Sequence, residues 1–253
     1  MTPKLKEYLL LTSDTPFGAP VYYKEITDST MNDAAFLIGE GAVHGTVIRA
    51  GSQTEGRGRL TGRLWKANPN ENLLFTLILN QKSASKTSLP LSLLMGYALS
   101  RFLEEEKALS PRIKWPNDVL VEGRKISGIL CESRRSFFTA GIGINLNQTE
   151  FSAGMNRPPV SLKMAAGIDS DPQDILLSLL DYIASALDYP PLKSELEDRL
   201  FGKGETVRTL IGKPGTGDEI TGILSGIQDD GALLLKIPEE KGFYTVYSGE
   251  ILY

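Results

Sequence analysis

Residues 72–80, NLLFTLILN, are a continuous apolar run of strand length, and such a run reads as a strand buried at the centre of a sheet. One alternative stays open, an edge strand used for dimerisation. The flanking sequence alternates between strand and helix periods. VYYKEI (21–26) and GTVIRAG (45–51) read as strands. DSTMNDAAFLIGEG (28–41) between them reads as a short helix, capped by Asp28, Ser29 or Thr30 and ended near Gly39 and Gly41. In SLPLSLLMGYALSRFLEEE (88–106), Leu91, Leu94, Ala98 and Phe102 fall at helical spacing, with Ser88 as cap and Pro90 in the first turn. DPQDILLSLLDYIASALD (171–188) is a second helix, with Asp171 as cap and YPP (189–191) as its stop, and LKSELEDRL (192–200) is one more. RIKWPNDVLVEGRKISGILCES (112–133), turning at Glu122-Gly123, and FFTAGIGINLN (137–147) are β-rich. From Glu205 only short strands follow, TVRTLI, EITGILSGI, GALLLKI and FYTVYSGEIL, with DDG (229–231) as a tight turn. The predicted division is an N-terminal extension over 1–20, a large α+β domain over 21–203, and a small β domain over 204–253. The last is near the size limit for independent folding, so it should lean on its neighbour.

At 253 residues, 41% hydrophobic and 23% charged, the chain has an ordinary globular composition. A formal charge of −4 argues against a general nucleic-acid binder. No apolar run of about 18 residues predicts a membrane span, and the N-terminus is a poor signal peptide. One cysteine, Cys131, makes no intramolecular disulfide, and these features together predict a cytoplasmic protein. Cys131 lies in an apolar strand-like run and reads as a buried structural thiol. A single histidine, His44, removes histidine triads and zinc sites from consideration.

Against this acidic background TEGRGRLTGRLW (54–65) concentrates Arg57, Arg59 and Arg63 among Gly56, Gly58 and Gly62. Arginine keeps its charge and offers a donor fork that matches phosphate oxygens, while glycine lets backbone N–H groups approach them. The spacing is not that of a Walker loop. A phosphate-binding loop and a solvated hairpin tip both fit, and Trp65 suits either a purine face or the core. KWPNDVL (114–120) breaks strand pairing at Trp-Pro and presents Lys114, Asn117 and Asp118, either to a small site or as an Asx-bonded turn. A returning hairpin strand would bring Lys125 of RKISG back near Asp118. GIGIN (141–145) carries glycines at alternate strand positions, the mark of a close approach or of a bulge.

Taken together, GRGR followed by Arg and Trp, KWPND, RKISGIL and GIGIN, in this order, resemble the biotin protein ligases. DSTMNDA, Gln53 and the closing SGEI fit the same family, so the resemblance covers roughly residues 21–253. It implies an α+β fold like that of class II aminoacyl-tRNA synthetases, a mixed β-sheet flanked by helices, with a small SH3-like barrel behind it. It also implies an enzyme that joins biotin to ATP, giving biotinyl-5′-AMP, and then transfers biotin to a lysine of a carboxylase's biotin carboxyl carrier domain, with Mg²⁺ assisting. By motif, Ser29, Thr30, Met31, Gln53, Gly56, Arg57, Gly58, Arg59, Lys125, Gly128, Gly141 and Gly143 would hold biotin. Arg57, Arg59, Arg63, Trp65, Lys114, Asn117, Asp118, Lys125 and Asn145 would hold ATP, with Arg59, Lys125 and Asp118 catalytic. Metal ligands are not assigned. Two departures from the family pattern are present: one extra residue stands between Arg59 and Gly62, and Met31 replaces the usual asparagine. With only 20 residues before Val21, a DNA-binding module and repressor activity are not expected, whereas a homodimer is compatible. The rival readings are a lipoate–protein ligase, a biotin-binding protein without turnover, and an α+β domain with a solvated hairpin.

Overall fold

The computed structural model describes residues 6–59, 62, 64–84, 86–151, 157–212, 217–238 and 242–252. In chain order the elements are β1 (Leu9–Thr12), β2 (Val21–Thr27), α1 (Thr30–Gly39), β3 (Val47–Gln53), β4 (Asn72–Asn80), α2 (Gln81–Ala84) and α3 (Leu91–Lys107). Then come β5 (Pro111–Lys114), β6 (Asp118–Val121), β7 (Arg124–Arg134), β8 (Phe137–Asn145), α4 (Leu162–Ala166), α5 (Pro172–Asp188) and α6 (Lys193–Glu197). The chain closes with β9 (Thr206–Ile211), β10 (Glu219–Ile227), β11 (Leu233–Lys236), β12 (Tyr244–Val246) and β13 (Gly249–Leu252).

Eight strands form one mixed sheet in the order β1-β2-β3-β4-β8-β7-β6-β5. Only β2 and β3 run parallel, because α1 crosses between them; the other neighbours are antiparallel. The apolar run is β4, paired on both sides with β3 and β8, so it is interior and offers no free edge to a second copy. Its alternate side chains enter different layers. Leu73, Phe75, Leu77 and Leu79 pack with α3 and α5, whereas Ile78 joins Ala34, Leu37 and Ile38 of α1 on the opposite face. Burial on both faces explains why the run is uniformly apolar rather than alternating.

Ser29 caps α1 and Asp171 caps α5, each through its side chain. Ser88 does not cap α3. Pro90 occupies that position without a side-chain bond, and the Ser88 hydroxyl donates instead to the carbonyl of Asp229 at 2.7 Å. The expected turn at Glu122-Gly123 places both residues at positive φ, 53° and 71°, as a two-residue hairpin of type I′ requires. Within the weakly patterned N-terminal stretch, β1 extends the sheet, and Tyr8 is buried with its hydroxyl donating to Asp33 Oδ1 at 2.6 Å. Its sequence, LLLT, lacks the apolar–polar alternation that marks a strand.

The second sheet is five-stranded and antiparallel, ordered β12-β11-β10-β9-β13. The final run splits into two strands, β12 at one edge and β13 at the other, so one short segment joins both edges of the small sheet. Its core residues Leu224, Ile227, Leu233, Leu235, Val246 and Ile251 are continuous with the core of the large sheet. Two polar contacts reinforce that seam: Trp115 Nε1 donates to Gly231 O at 3.0 Å, and Ile227 N donates to Glu197 Oε1 at 3.1 Å.

Candidate functional site

Parallel pairing of β2 and β3 brings Thr27 and Gln53 together at their C-terminal ends, beside the N-terminus of α1. Gln53 Oε1 accepts from the Thr30 N–H at 2.8 Å and from the Thr30 hydroxyl at 3.1 Å. The Thr76 hydroxyl on β4 donates to Thr30 Oγ1 at 2.9 Å, and Ser29 Oγ accepts from Met31 N at 3.3 Å. Each polar group is thereby oriented before any ligand arrives. Thr76 was not anticipated; a lone threonine in a fully buried run carries no signal of its own.

The two described arms of the Arg/Gly segment, 54–59 and 64–65, pair antiparallel at Arg57 and Leu64, and this stem is anchored to neighbouring main chain. Thr54 N and Glu55 N donate to the carbonyls of Thr27 and Asp28 at 2.9 and 2.8 Å, Trp65 N donates to Gly56 O at 2.9 Å, and Arg57 bridges Leu64. Arg63 lies outside the described residues. Arg57 reaches Asn32 Oδ1 at 3.2 Å and Glu132 Oε1 at 3.5 Å, and Arg59 donates to the carbonyl of Gly249 at 2.8 Å. Trp65 packs against the glycines of β7 and β8: a Cβ added at Gly143 would stand 2.6 Å from its ring, and one at Gly128 would stand 3.0 Å away. A Cβ at Gly141 would meet Met31 Sδ at 2.8 Å. The alternating glycines thus mark a close approach, made by Trp65 and Met31, rather than a bulge.

The β6–β7 hairpin returns Lys125 to Asp118, Nζ to Oδ1 at 2.8 Å, with Lys125 Nζ also 5.5 Å from the Trp65 ring centre. Asn117 fixes this corner: its side chain donates to Ile129 O at 3.0 Å, and its carbonyl accepts from Ile129 N at 2.9 Å. A first cavity, of about 60 Å³, is walled by Ser29, Thr30, Met31, Gln53, Arg57, Leu130 and the three strand glycines. A second, of about 110 Å³, adjoins it and includes Leu64, Asp118 and Glu250. Gly58, Arg59, Trp65, Asn117 and Lys125 line both and so form the partition.

Three expected residues stand outside these walls. Gly56 is buried in the hairpin stem, packed against Trp65. Lys114, only 2% exposed, faces Glu250 Oε1 of β13 at 3.7 Å. Asn145 turns its amide to the carbonyls of Lys125 and Val160 at 3.3 and 3.2 Å, holding up the backbone beneath Lys125 rather than facing a cavity. Glu250 arrives from the far end of the sequence, and spacing gave no sign of it. Cys131 is half-buried against the apolar layer rather than fully buried as expected, and desolvation pushes its thiol up to about 12, which leaves little thiolate near neutral pH. Among the described residues no group of three His, Cys, Asp or Glu side chains is placed to hold a metal. Among them, too, no helix is long and apolar enough to cross a membrane.

The sequence model of the Biotin/lipoate A/B protein ligase family matches residues 23–148. The bifunctional ligase/repressor BirA of Bacillus subtilis is 32% identical over 251 residues, covering 92% of this chain and 74% of that protein. The biotin–[acetyl-CoA-carboxylase] ligase of Paracoccus denitrificans is 34% identical over 228 residues, covering 84% of this chain and 92% of that one. Among solved structures, the biotin protein ligase from Aquifex aeolicus in complex with biotin and ATP superposes with a TM-score of 0.79 at 32% identity. That match covers 92% of this chain and 97% of the other. Its eight-stranded sheet, flanking helices and small antiparallel sheet therefore follow the architecture of solved biotin protein ligases.

Proposed function

Since the chain belongs to the biotin protein ligases, within the biotin/lipoate A/B protein ligase family, we propose that it activates biotin with ATP and transfers it to a lysine of a carboxylase's biotin carrier domain. The observation that carries this reading is the pair of adjoining cavities whose partition contains Arg59, Lys125 and Trp65. In the first half-reaction a carboxylate oxygen of biotin attacks the α-phosphorus, the bond to pyrophosphate breaks, and biotinyl-5′-AMP forms. In the second, the lysine amine attacks the acyl carbon, AMP leaves and the nitrogen gives up its proton. Two anions must meet in the first step, and fixed cations offset their repulsion as charge builds on phosphorus.

On this reading the polar cluster of Ser29, Thr30 and Gln53 takes the ureido head of biotin in the first cavity. Gly58 closes over it through its backbone, and Leu130 with the glycine strands forms the apolar wall. Arg59 and Lys125, at the junction of the two cavities, hold the carboxylate and the α-phosphate together; orienting such a pair is worth up to about 7–11 kcal/mol in favourable cases. Trp65 forms the wall on the nucleotide side. Asp118, paired with Lys125, holds that ammonium at the junction and is the group nearest at hand to receive the proton of the acceptor lysine, whose ordinary pKa is about 10.4. The residues present fit Mg²⁺, which is ordinarily held by substrate phosphates with one or two carboxylates rather than by a dedicated protein cage. Asp118 and Glu250 are the carboxylates of the second cavity, and the ion would supply charge neutralisation on the phosphates. We also place the division between the catalytic and small β domains at 203/204.

The test is pyrophosphate release on mixing the protein with MgATP and either biotin or lipoate. Release with biotin alone is expected. Release with lipoate alone would replace this reading with a lipoate ligase, and no release with either would leave a binding protein.

A further inference from the structure

Arg57 lines the first cavity and its side chain links two of the elements that wall it, α1 and β7. One nitrogen stands 3.2 Å from Asn32 Oδ1 on α1, and the other stands 3.5 Å from Glu132 Oε1 on β7. Both acceptors are themselves held. Asn32 Nδ2 donates to Asp28 Oδ2 at 3.0 Å, which leaves its carbonyl oxygen turned to the arginine. Arg134 binds the other carboxylate oxygen of Glu132 at 2.9 Å, so Glu132 is shared between two arginines. Asp28 also anchors the hairpin, because its carbonyl accepts from Glu55 N at 2.8 Å. The hairpin stem is therefore pinned by main chain at one side of the cavity, and Arg57 carries it to the other. The sequence offers no reason to single out Glu132 or Asn32.

We propose that Glu132, with Asn32, is the positioning residue that straps the hairpin stem across the cavity through Arg57, and that this strap sets how long a bound carboxylic acid is retained. Neither residue lines either cavity. Arg57 spends its charge on the protein, so its contribution to a ligand comes through its backbone. All three side chains are partly solvent-exposed, which keeps each link individually weak and allows the strap to open on every binding cycle. The retention arm rests on the proposed reading that the first cavity takes biotin; the strap itself does not.

The experiment compares wild type, Glu132→Gln, Glu132→Asp and Asn32→Ala in the full chain. Hydrogen exchange is first followed without ligand. Exchange of the amides of residues 54–59, 64 and 65 is expected to quicken by up to about fivefold in E132Q and N32A, with the rest of the sheet unchanged and E132D close to wild type. Raising salt should speed exchange of the same amides in wild type and leave E132Q unaffected. Unchanged hairpin exchange in both E132Q and N32A, or quickening spread across the whole sheet, would overturn the strap. Release of radiolabelled biotin is then timed. Faster release from E132Q, with an unchanged single-turnover rate at saturation, supports the retention role, and equal release rates overturn it. Failure of wild type itself to bind biotin would sink the functional reading and leave the exchange result to judge the strap.

Discussion

Lys125 stands where three demands meet: an ion pair with Asp118, the face of Trp65, and the junction of two cavities. Its removal should therefore cost chemistry more than folding. Lys125→Gln is expected to slow adenylate formation in single turnover by about 10²–10³, with the melting temperature nearly unchanged; a wild-type rate would remove Lys125 from the reaction. His44 makes the opposite kind of prediction. Its Nδ1 accepts the Asn80 N–H at 3.2 Å, and burial first of all holds its pKa below the ordinary value. The unfolded chain then takes up the proton first, at about pH 6.5. The stability contribution is full above that pH and is lost as pH falls toward the folded value. Melting temperature should fall between pH 7.5 and pH 5.5 in wild type, and His44→Gln should flatten that slope measurably. Arg57, Asp118 and Lys125 stand out in the sequence because charge or turn chemistry singles them out, whereas Thr30 and Gln53 are reached only through the family resemblance. Asn145 was expected at the site but stands outside both cavities, since spacing does not tell an amide aimed at a ligand from one that supports a backbone carbonyl.

Helices and strands are held by the devices that the sequence advertises. The Asp171 side chain accepts from Gln173 N at 2.7 Å and from Asp174 N at 3.2 Å, with Pro172 following at the first helical position. Asp171→Ala is expected to cost about 0.5–2 kcal/mol in urea unfolding and to leave steady-state kinetics unchanged, because α5 packs on the sheet face away from both cavities. The sequence is silent where an element's position depends on partners far along the chain. NLLFTLILN could not reveal whether it was central or at an edge, and only pairing with both β3 and β8 decides that. Ser88 looks like a cap by spacing, yet its hydroxyl goes to Asp229, more than a hundred residues away. FYTVYSGEIL reads as one strand and is two, since the edges of the small sheet must be joined.

At the scale of the whole molecule, the small sheet is joined to the site rather than appended to it. Gly249 supplies the carbonyl that Arg59 binds, Glu250 faces Lys114, and Trp115 is bonded to Gly231 across the seam. Trp115→Phe keeps the apolar bulk and leaves a buried carbonyl without its donor, a loss of about 1–3 kcal/mol. Because one core runs through both sheets, that loss should appear as a single thermal transition shifted downward; two separated transitions would mean that the sheets melt independently. The same continuity explains why the GRGR hairpin and the closing SGEI, separated by 190 residues between Arg59 and Gly249, meet at one place. The activity proposed for this place is activation of biotin for transfer to protein. Its most direct test is intact-protein mass spectrometry of a biotin carboxyl carrier domain incubated with this chain, ATP, Mg²⁺ and biotin. One biotinyl group on a single lysine, dependent on ATP, is the expected result, and an acceptor of unchanged mass, alongside a biotin protein ligase control that modifies it fully, would contradict the claim.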